Sequence, residues 1–418
     1  MARPCWYLSL ETSHRKAFEM ASSNSPGHSQ SGAFSADNFP RGQAAIVSAA
    51  TFGMGAAPGY SSMELAVQAS LKALNNVGLT PGDVDGLMIC LPDDIFSSLS
   101  LAEYFGIKPR ITDNNRTGGS SFQTHCALAS LALSTGQCDV ALIAYGSNQR
   151  SAAGRLVTPL RPSIYEQPYK GIRPLSAYAL AAARHMYEFG TTKEQLGRVA
   201  IAARKWAQLN PDASMRDPLS MEEYLASRMV SDPLGVRDCC LVSDGAAAVV
   251  MVRADRARDL TRRPAYVLGA AAATTHRDIT NMPDLTTTAA KAASDTAYRQ
   301  AGTGAKDVDV VELYDAFTIN TILFLEDLGF CPKGEGGRFV ADGHIDPGGS
   351  LPVNTNGGGL SCVHPGMYGL FTMVEATQQL MGLAGERQIA SVDIALAHGN
   401  GGELASQAVV ILGSEAAL

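Results

Sequence analysis

The apolar positions of this chain fall into two kinds of segment that alternate along it. Short, nearly continuous apolar runs are typical of buried strands; they occur at Gln43–Ala50, Asp139–Tyr145 and Cys239–Met251. Longer segments repeat apolar residues every three or four positions, as one face of a helix does; they are Ser61–Val77, Ser121–Ser134, Leu175–Phe189 and Gln195–Gln208. Strands that alternate with helices predict an α/β fold with largely parallel sheets, covered on both faces.

A helix–turn–strand pattern occurs twice in the same order. The segment DVDGLMI at Asp83–Ile89 has a counterpart in DVDVVEL at Asp307–Leu313. The segment CDVALIAYGS at Cys138–Ser147 has a counterpart in VDIALAHGNGG at Val392–Gly402. Two such matches predict two halves of like topology.

The boundaries of these halves follow from the surrounding composition. We expect the halves to span residues 43–255 and 264–418, after an N-terminal extension of residues 1–42. From Ser22 onward the extension is rich in Ser, Gly, Asn and Pro and would bury little, so we expect it to be flexible. No apolar core follows a basic start, so we expect no signal peptide. Met20 is an alternative start of translation.

The composition of the chain argues against nucleic acid and a membrane span. The formal charge of −7 offers no basic surface for nucleic acid, and no apolar run reaches the length of a membrane span. The eight cysteines have no C-x-x-C spacing, so we expect neither a metal site nor a disulfide framework. The adjacent Cys239 and Cys240 are typical of buried thiols in a reducing compartment, which favours a cytoplasmic protein.

Candidate chemistry is concentrated in the stretch Asn354–Leu370, NTNGGGLSCVHPGMYGL. Its consecutive glycines can adopt backbone angles closed to other residues and let a ligand lie against the main chain. His364 can exchange a proton near neutral pH. The stretch AHGNGG at Ala397–Gly402 repeats the combination. Because functional loops follow the carboxyl ends of such strands, we expect Tyr314 and both glycine-rich stretches on one rim.

Four long segments carry a resemblance to a known family. They read SDPLGVRDCCLVSDGAAAVV, VELYDAFTINTILFLEDLGFCPKGEGG, LPVNTNGGGLSCVHPGMYG and AHGNGG. In this order they resemble the thiolase superfamily, specifically the branch of sterol-carrier-protein thiolases and bacterial lipid-transfer-protein thiolase homologues. The resemblance covers nearly everything after residue 43. It implies two similar βαβαβαββ halves in a five-layered αβαβα structure, with a helical loop region inserted in the first half.

The resemblance also implies ligands and partners. The implied substrate is an acyl-coenzyme A ester, with no bound cofactor, and the implied assembly is a homodimer. Steroid side-chain aldolases of this branch work with a small partner protein that contains an OB fold and often a zinc ribbon. We therefore expect a similar partner for this chain.

The family's catalytic positions carry over with one departure. His364 matches the histidine of a GHP-type loop, His398 lies in the final glycine loop, and Tyr314 stands where the family has an Asn or His of the oxyanion hole. The family's nucleophilic cysteine lies about seventeen residues before the glycine that ends its helix. Counting back from Gly136 leads to Gly119, which has no side chain, so we expect no covalent acyl-enzyme at this place.

Nearby side chains have alternative interpretations. Cys126 is either an alternative nucleophile or a small buried core residue. We expect Ser120 and Ser121 to cap the helix through their hydroxyl groups. His125 is either a helix histidine with satisfied hydrogen bonds or a residue of the pocket.

The remaining groups can still catalyse a reaction that needs no nucleophile on the protein. Backbone N–H groups at the helix start and in the glycine turns can stabilise a thioester enolate, while Tyr314, His364 and His398 supply proton donors and acceptors. This set favours retro-aldol cleavage of a β-hydroxyacyl-CoA. The residues expected to contact the substrate or its oxyanion are Gly119, Ser120, Ser121, His125, Asn356, Gly358, Asn400 and Gly401.

The resembling steroid side-chain aldolases convert a 17-hydroxy steroid carboxyl-CoA to a 17-ketone and propionyl-CoA. They carry tyrosines at the places of Tyr314 and His364, so only the first matches. Two alternatives stay open. One is thiolytic or Claisen acyl transfer by an acetyl-CoA acyltransferase that uses Cys126, which an acyl adduct on a cysteine would support. The other is a non-catalytic lipid or acyl-CoA binding subunit, whose complex would keep its activity after His364→Ala and Tyr314→Phe.

Overall fold

The computed structural model describes residues 38–152 and 164–418. All strands and helices of the described residues belong to the unit Phe39–Leu418. The extension predicted for residues 1–42 lies outside the described residues except at its C-terminal end. None of the described helices is long and apolar enough to cross a membrane.

The described part of the chain contains eleven strands and eleven α-helices. The strands are β1 (Ala44–Gly55), β2 (Gly86–Ile89), β3 (Ile111–Asp113), β4 (Val140–Ser147), β5 (Met229–Ser231), β6 (Leu234–Gly235), β7 (Asp244–Arg253), β8 (Ala265–Thr274), β9 (Val310–Glu312), β10 (Ile394–Gly401) and β11 (Ser406–Gly413). The helices are α1 (Ser62–Asn75), α2 (Ser97–Phe105), α3 (Ser121–Ser134), α4 (Leu175–Phe189), α5 (Lys193–Gln208), α6 (Met221–Leu225), α7 (Ala254–Leu260), α8 (Ala290–Ala301), α9 (Thr318–Asp327), α10 (Gly336–Ala341) and α11 (Gly369–Met381).

The elements predicted from apolar spacing are present. Helices α3 and α4 have the predicted bounds, and α1 and α5 differ from prediction by one or two residues at an end. Helix α1 begins after Ser61 because the Ser61 hydroxyl accepts a hydrogen bond from the Glu64 N–H, while the Glu64 carboxylate accepts one from the Ser61 N–H. This reciprocal capping box satisfies two backbone donors at once.

Nine strands form one sheet in the order β3-β2-β4-β7-β1-β8-β11-β10-β9. The first half contributes β3, β2, β4, β7 and β1, and the second half contributes the other four. In both halves a parallel pair is followed by two antiparallel pairings: β2 with β4, then β7, then β1, and β9 with β10, then β11, then β8. The segments of the internal repeat thus occupy equivalent places, β2 with β9 and β4 with β10.

The prediction of largely parallel sheets is wrong. Parallel pairing is confined to β2 with β3, β2 with β4 and β9 with β10, and the other pairings in the nine-stranded sheet are antiparallel. The reason is visible at β10 and β11, which are joined by a short turn after Gly401. A connection this short returns the chain beside itself and can only make an antiparallel pair.

Some helices pack on the sheet from outside, and two others lie in the centre of the molecule. Helix α1 packs on β4, β7 and β1, and α8 packs on β8 and β11. Helices α3 and α11 contact each other and strands of both halves, so they lie between the halves. Their N-terminal ends approach closely, because a Cβ added at Gly369 would lie 1.9 Å from the carbonyl oxygen of Gly119. The start of α3 is therefore held against the start of α11.

Candidate active site

The ring of Tyr314 occupies the space beside Gly119. A Cβ added at Gly119 would lie 1.9 Å from Cε2 of Tyr314 and 2.7 Å from the carbonyl oxygen of Asn400. Real Cβ atoms do not approach other atoms this closely, so residue 119 has no room for a side chain while Tyr314 holds this position. A phenol ring therefore fills the place at which the family's cysteine was expected.

Tyr314 and His364 lie together, as predicted for one rim. Their ring centroids are 5.4 Å apart, and the rings meet edge to face. The Tyr314 hydroxyl donates a hydrogen bond of 2.8 Å to the carbonyl oxygen of Gly366, which follows His364 in the turn. Burial raises the pKa of Tyr314 well above its ordinary value, so the phenol stays protonated and acts as a donor.

His364 is a neutral imidazole with a free nitrogen. Its backbone N–H donates to the Ser243 hydroxyl at 2.9 Å, but Nε2 of the ring has no hydrogen-bond partner among the described residues. Burial lowers the pKa of His364 to about 4 because the charged form loses its hydration. Near neutral pH this ring is unprotonated and can accept a proton.

Tyr368, for which the sequence left open a place in the pocket or simple packing, completes a cluster of rings. It stacks on His364 at 5.9 Å and meets Tyr314 edge to face at 5.9 Å. Its hydroxyl donates to Oδ1 of Asn356 at 3.0 Å, and the same Oδ1 accepts the backbone N–H of Gly358 at 2.7 Å. Its position four residues after His364, in a turn that folds back on itself, was the sequence signal that could have placed it in the site.

Asp315 is held inside the glycine turn. Its carboxylate accepts the N–H of Gly359 at 2.6 Å and that of Leu360 at 3.4 Å. A Cβ at Gly358, whose φ is +64°, would lie 2.0 Å from Oδ2 of Asp315, so only glycine fits there. Burial raises the pKa of Asp315 to about 7. The carboxyl group therefore titrates near neutral pH directly behind the catalytic turn.

His398 lies on another face of β10 from the glycines beside it. Its ring packs on Phe324 with centroids 4.2 Å apart, and its Nε2 donates to Gln407 Oε1 at 2.9 Å. Side chains alternate along a strand, so Gly399 and Gly401 face α3 while His398 points away. The structure does not bring this ring into contact with the rings of Tyr314 or His364. Burial lowers the pKa of His398 to about 3.

A hydrogen-bond chain joins His398 to the neighbourhood of Gly119. Gln407 donates to Oδ1 of Asn400 at 2.8 Å. Asn400 in turn donates to the Tyr178 hydroxyl at 2.9 Å, while its carbonyl oxygen lies beside Gly119. Tyr178 is a further site residue that the sequence did not reveal, because it lies on helix α4, far away along the chain.

The prediction that Ser120 and Ser121 cap α3 is wrong. Ser120 has helical backbone angles and makes no side-chain cap bond; its hydroxyl donates instead to the Ser406 hydroxyl at 3.0 Å. The Ser121 hydroxyl accepts the N–H of Thr117 at 2.9 Å, which lies before the helix. These hydroxyls tie the start of α3 to its surroundings, and the first N–H group of the helix, that of Ser121, donates to the carbonyl oxygen of Gly118 at 3.1 Å.

Gly401 lets the start of α3 approach β10. A Cβ added there would lie 1.8 Å from the carbonyl oxygen of Thr117 and 2.5 Å from the Ser120 hydroxyl. Gly119, Ser120, Asn400 and Gly401 are therefore brought together, as the sequence predicted for a substrate or oxyanion site.

His125 and Cys126 lie deeper in α3, away from the ring cluster. Both are fully buried. His125 packs edge to face on Phe122 and lies 3.6 Å from the carboxylate of Asp113; burial lowers its pKa to about 4. Burial raises the pKa of the Cys126 thiol to about 12, so almost no reactive thiolate forms. Cys126 therefore fits a core residue better than a nucleophile.

Comparison with known proteins agrees with this geometry. Residues 271–414 match a family profile described as Thiolase C-terminal domain-like. The chain is 34% identical over 372 residues to an acetyl-CoA acetyltransferase of Methanothermobacter thermautotrophicus, covering 84% of this chain and 94% of the relative. It is 33% identical over 363 residues to a 17-hydroxy-3-oxo-4-pregnene-20-carboxyl-CoA lyase of Mycobacterium tuberculosis, covering 82% of this chain and 92% of the relative.

A solved structure is similar over almost the whole chain. The Ltp2-ChsH2(DUF35) aldolase superposes with a TM-score of 0.81 at 31% sequence identity, covering 90% of this chain and 98% of that chain. The family resemblance and the α/β thiolase fold expected from the motifs are thereby confirmed.

Proposed function

Because the chain belongs to the thiolase superfamily, in the branch of the sterol-carrier-protein thiolases, we propose that it makes or breaks a carbon–carbon bond in an acyl-CoA thioester. The favoured reaction is retro-aldol cleavage of a β-hydroxyacyl-CoA. One observation carries this choice: the Tyr314 ring fills the space that a nucleophile at Gly119 would need. Acyl transfer through that position is thereby removed, and proton transfer remains.

The side chains of the ring cluster carry the proton transfers of this reaction. A neutral His364 accepts the proton of the β-hydroxyl group through its free Nε2, and the Cα–Cβ bond breaks to give a ketone or aldehyde and a thioester enolate. In this proposal the Tyr314 hydroxyl exchanges its bond to the carbonyl oxygen of Gly366 for one to the developing negative charge. The proton that His364 accepted is then returned to the enolate carbon, which completes the acyl-CoA product. Each positioned proton transfer contributes about 10²–10⁴-fold in rate.

The enolate oxygen needs donors that do not move. The backbone N–H groups of Gly119 and Ser120, immediately before the first residue of α3, lie where the helix dipole favours negative charge. Removal of one such donor typically costs about 10²–10³ in rate. In this proposal His398 acts as a positioning residue, since its contact with Gln407 orients Asn400 beside Gly119.

The substrate class comes from the relatives. The tuberculosis lyase is named for a steroid carboxyl-CoA, and this chain shares most of its length with that protein. We propose a β-hydroxyacyl-CoA with a bulky acyl group, a steroid side chain being the first candidate. The acyltransferase alternative is less favoured, because burial raises the pKa of Cys126, its expected nucleophile, to about 12.

Two protein partners belong to the proposal. The structural neighbour is a complex with a DUF35 protein, which supports a small OB-fold partner for this chain in the cytoplasm. A homodimer is supported by helix α2 and the edge strand β3. Strand β3 is paired only with β2, and exposed apolar side chains lie in and before α2, namely Ile95, Phe96, Leu99 and Tyr104.

The test is product analysis with the purified chain, alone and with a DUF35-type partner. Incubation with a 17-hydroxy steroid carboxyl-CoA should release a 17-ketone and propionyl-CoA, detected by mass spectrometry. Intact-protein mass spectrometry in the same experiment should show no acyl adduct. A stable acyl group on a cysteine, with acyl transfer to CoA as the reaction, would overturn the retro-aldol proposal.

A further inference from the structure

A buried glutamate, Glu312, joins the end of strand β9 to the catalytic turn. Its Oε1 accepts the backbone N–H of Thr355 at 3.2 Å and lies 2.8 Å from the Thr355 hydroxyl. Thr355 precedes Asn356, the residue that holds the Tyr368 hydroxyl. Tyr314 follows Glu312 by two residues. The contact therefore links the segment that leads to Tyr314 with the turn that leads to the other rings of the cluster.

A second buried glutamate reaches the same hydroxyl group from helix α11. Oε1 of Glu375 also lies 2.8 Å from Oγ1 of Thr355, and Glu375 and Glu312 are both buried. Nε2 of Gln379 lies 2.9 Å from the same oxygen. The Thr355 hydroxyl thus has three polar neighbours at hydrogen-bond distance.

The side-chain amide of Gln379 acts as a donor to this hydroxyl group. Its Oε1 accepts the backbone N–H of Ile389 at 3.0 Å, and its Nε2 donates to the carbonyl oxygen of Arg387 at 3.0 Å. These two backbone groups fix which end of the amide is the nitrogen, and an amide nitrogen only donates. Gln379 therefore gives a proton to Oγ1 of Thr355 and takes none from it.

The number of protons in this cluster shows that one of the two glutamates is a neutral acid. A hydroxyl group donates one hydrogen bond, so Thr355 can donate to Glu312 or to Glu375, but not to both. Two buried oxygen atoms 2.8 Å apart with no hydrogen between them would each lack a partner and repel each other. The second glutamate therefore carries a proton and donates it to Oγ1 of Thr355.

Arg387 determines which glutamate keeps its negative charge. Its Nε and Nη2 donate to the two carboxylate oxygens of Glu375 at 2.8 Å and 3.0 Å, a bidentate pair that is typical of the ionised form. Glu312 forms no ion pair within residues 38–152 and 164–418, and its Oε2 has no hydrogen-bond partner there. Burial, and then the charge of Glu375, raise the pKa of Glu312 well above its ordinary value, and the opposing effect of Arg387 is smaller.

We propose that Glu312 stays protonated and is a positioning residue for the cleavage reaction. Its proton forms a hydrogen bond to Thr355, and the Thr355 hydroxyl donates to Glu375. An ionised Glu312 would face the charge of Glu375 across a single hydroxyl group, and like charges in a buried site repel strongly. The proton thus holds the catalytic turn on β9 and maintains the 5.4 Å contact between the rings of Tyr314 and His364. The positioning role rests on the proposed function, whereas the location of the proton does not.

Infrared difference spectroscopy tests where the proton is. The spectrum of the native chain minus that of Glu312→Gln, recorded near neutral pH without substrate, should contain the C=O stretching band of a protonated carboxylic acid. Bands of an ionised carboxylate in its place would overturn the proposal. If the native chain cleaves no acyl-CoA ester, the proposed function fails and the positioning role with it, but this band still decides the location of the proton.

Glutamine variants at the two glutamates form a matched pair for thermal unfolding. Glutamine offers an N–H group where a neutral acid offers its O–H, so Glu312→Gln should unfold close to the native temperature. Glu375→Gln removes the charge that pairs with Arg387 and should unfold at a clearly lower temperature, because a buried guanidinium loses its partner. The reverse order would place the proton on Glu375 and overturn the assignment.

Cleavage kinetics test the positioning role. Glu312→Leu is similar in size but cannot donate to Thr355, so kcat should fall at least about tenfold while KM changes by less than about threefold, since small displacements of catalytic groups slow the chemical step. Glu312→Gln restores the donor and should return kcat to within about threefold of the native value. A glutamine variant as slow as the leucine variant would remove the proton of Glu312 from positioning, while the proposed function would stand.

Thr355→Val and Thr288→Val are the matched controls. The N–H and the hydroxyl of Thr288 both donate to Oδ2 of Asp327 at 2.8 Å, the same pattern as at Glu312, but outside the ring cluster. Thr355→Val should lower kcat at least about tenfold, whereas Thr288→Val should keep the native rate. Equal rates for the two valine variants would contradict the positioning role.

Discussion

Gly119 and Tyr314 share one volume of space: a Cβ at the glycine would lie 1.9 Å from Cε2 of the tyrosine. Either residue 119 has a side chain or residue 314 has its ring in this position. The two residues lie far apart along the chain, so the fold makes a side chain at residue 119 and the ring of Tyr314 mutually exclusive.

This relationship predicts coupling in a double-mutant cycle. Gly119→Ala should lower the free energy of unfolding by about 1–3 kcal/mol, because a methyl group is forced into a filled site. In a Tyr314→Ala background the same change should cost at least about 1 kcal/mol less. Urea unfolding of the four proteins measures the coupling, and Gly82→Ala, where a Cβ meets only Thr80 Oγ1 at 3.6 Å, is the control. Strictly additive costs would contradict the shared volume.

Tyr314→Phe separates the ring from its hydroxyl. The ring still fills the space, so stability should fall by only about 1 kcal/mol for the lost bond to Gly366. The cleavage rate should fall by about 10²–10⁴, because the proton donor is gone. Steady-state kinetics and thermal unfolding measure the two effects.

Tyr298→Phe is the matched control for that variant. The Tyr298 hydroxyl also donates to a backbone carbonyl oxygen, that of Leu328, at 3.0 Å, but it lies on α8, away from the ring cluster. It should lose similar stability and keep the native rate. Equal rates for both variants would remove Tyr314 from the chemistry.

The lowered pKa of His364 predicts that the free energy of unfolding decreases at acid pH. Its pKa is lowered to about 4 from an ordinary value of 6.5, so the folded state favours the neutral ring. This contribution, about 3 kcal/mol, is present above pH 6.5 and is lost as pH falls toward 4. Urea unfolding of the native chain and His364→Gln at pH 7.5, 6 and 5 should show the difference shrinking. Parallel curves would show that the ring is not buried in neutral form.

The raised pKa of Asp315 predicts the opposite pH dependence of the free energy of unfolding. Its pKa is raised to about 7 from 3.8, so the folded state binds more protons than the unfolded state between these values. Stability relative to Asp315→Asn should therefore fall as pH rises from about 4 to about 7, by on the order of 4 kcal/mol. Asp315→Asn should also flatten the pH dependence of cleavage near neutrality, if the turn that carries His364 depends on this charge. The measurements are unfolding and initial rates from pH 5 to 8.

Much of the fold was readable because local and global signals agree. The bounds of α3 and α4 followed from apolar spacing alone, and the two-fold repeat identified β2 with β9 and β4 with β10. The antiparallel pairings were missed because a buried apolar strand looks the same in either direction. Pairing direction depends on the connections, and β7 returns to β1 only after a long insertion.

Several of the glycines that the sequence proposed for the site have a steric reason in the structure, whereas side chains that reach the same place from distant segments were missed. Gly119, Gly358 and Gly401 each face an atom that excludes a Cβ. The role of His398 could not be read from its motif, because the alternation of β10 turns its ring toward Phe324. Tyr178 reaches the site from α4, and no local pattern links that helix to Asn400.

The first strand has a consequence for how this protein is made. Strand β1 pairs with β7, from Ala44 with Arg253 to Gly55 with Asp244, and with β8 at Ala45 and Tyr266. Among the described residues β1 therefore has no paired strand until 189 further residues (244 − 55) have been synthesised. At about 5–20 residues per second the ribosome needs on the order of 10–40 s to supply them. During that time both edges of β1 are unpaired. Mutations that slow the completion of β7 should therefore lower the yield of soluble protein before they lower the free energy of unfolding.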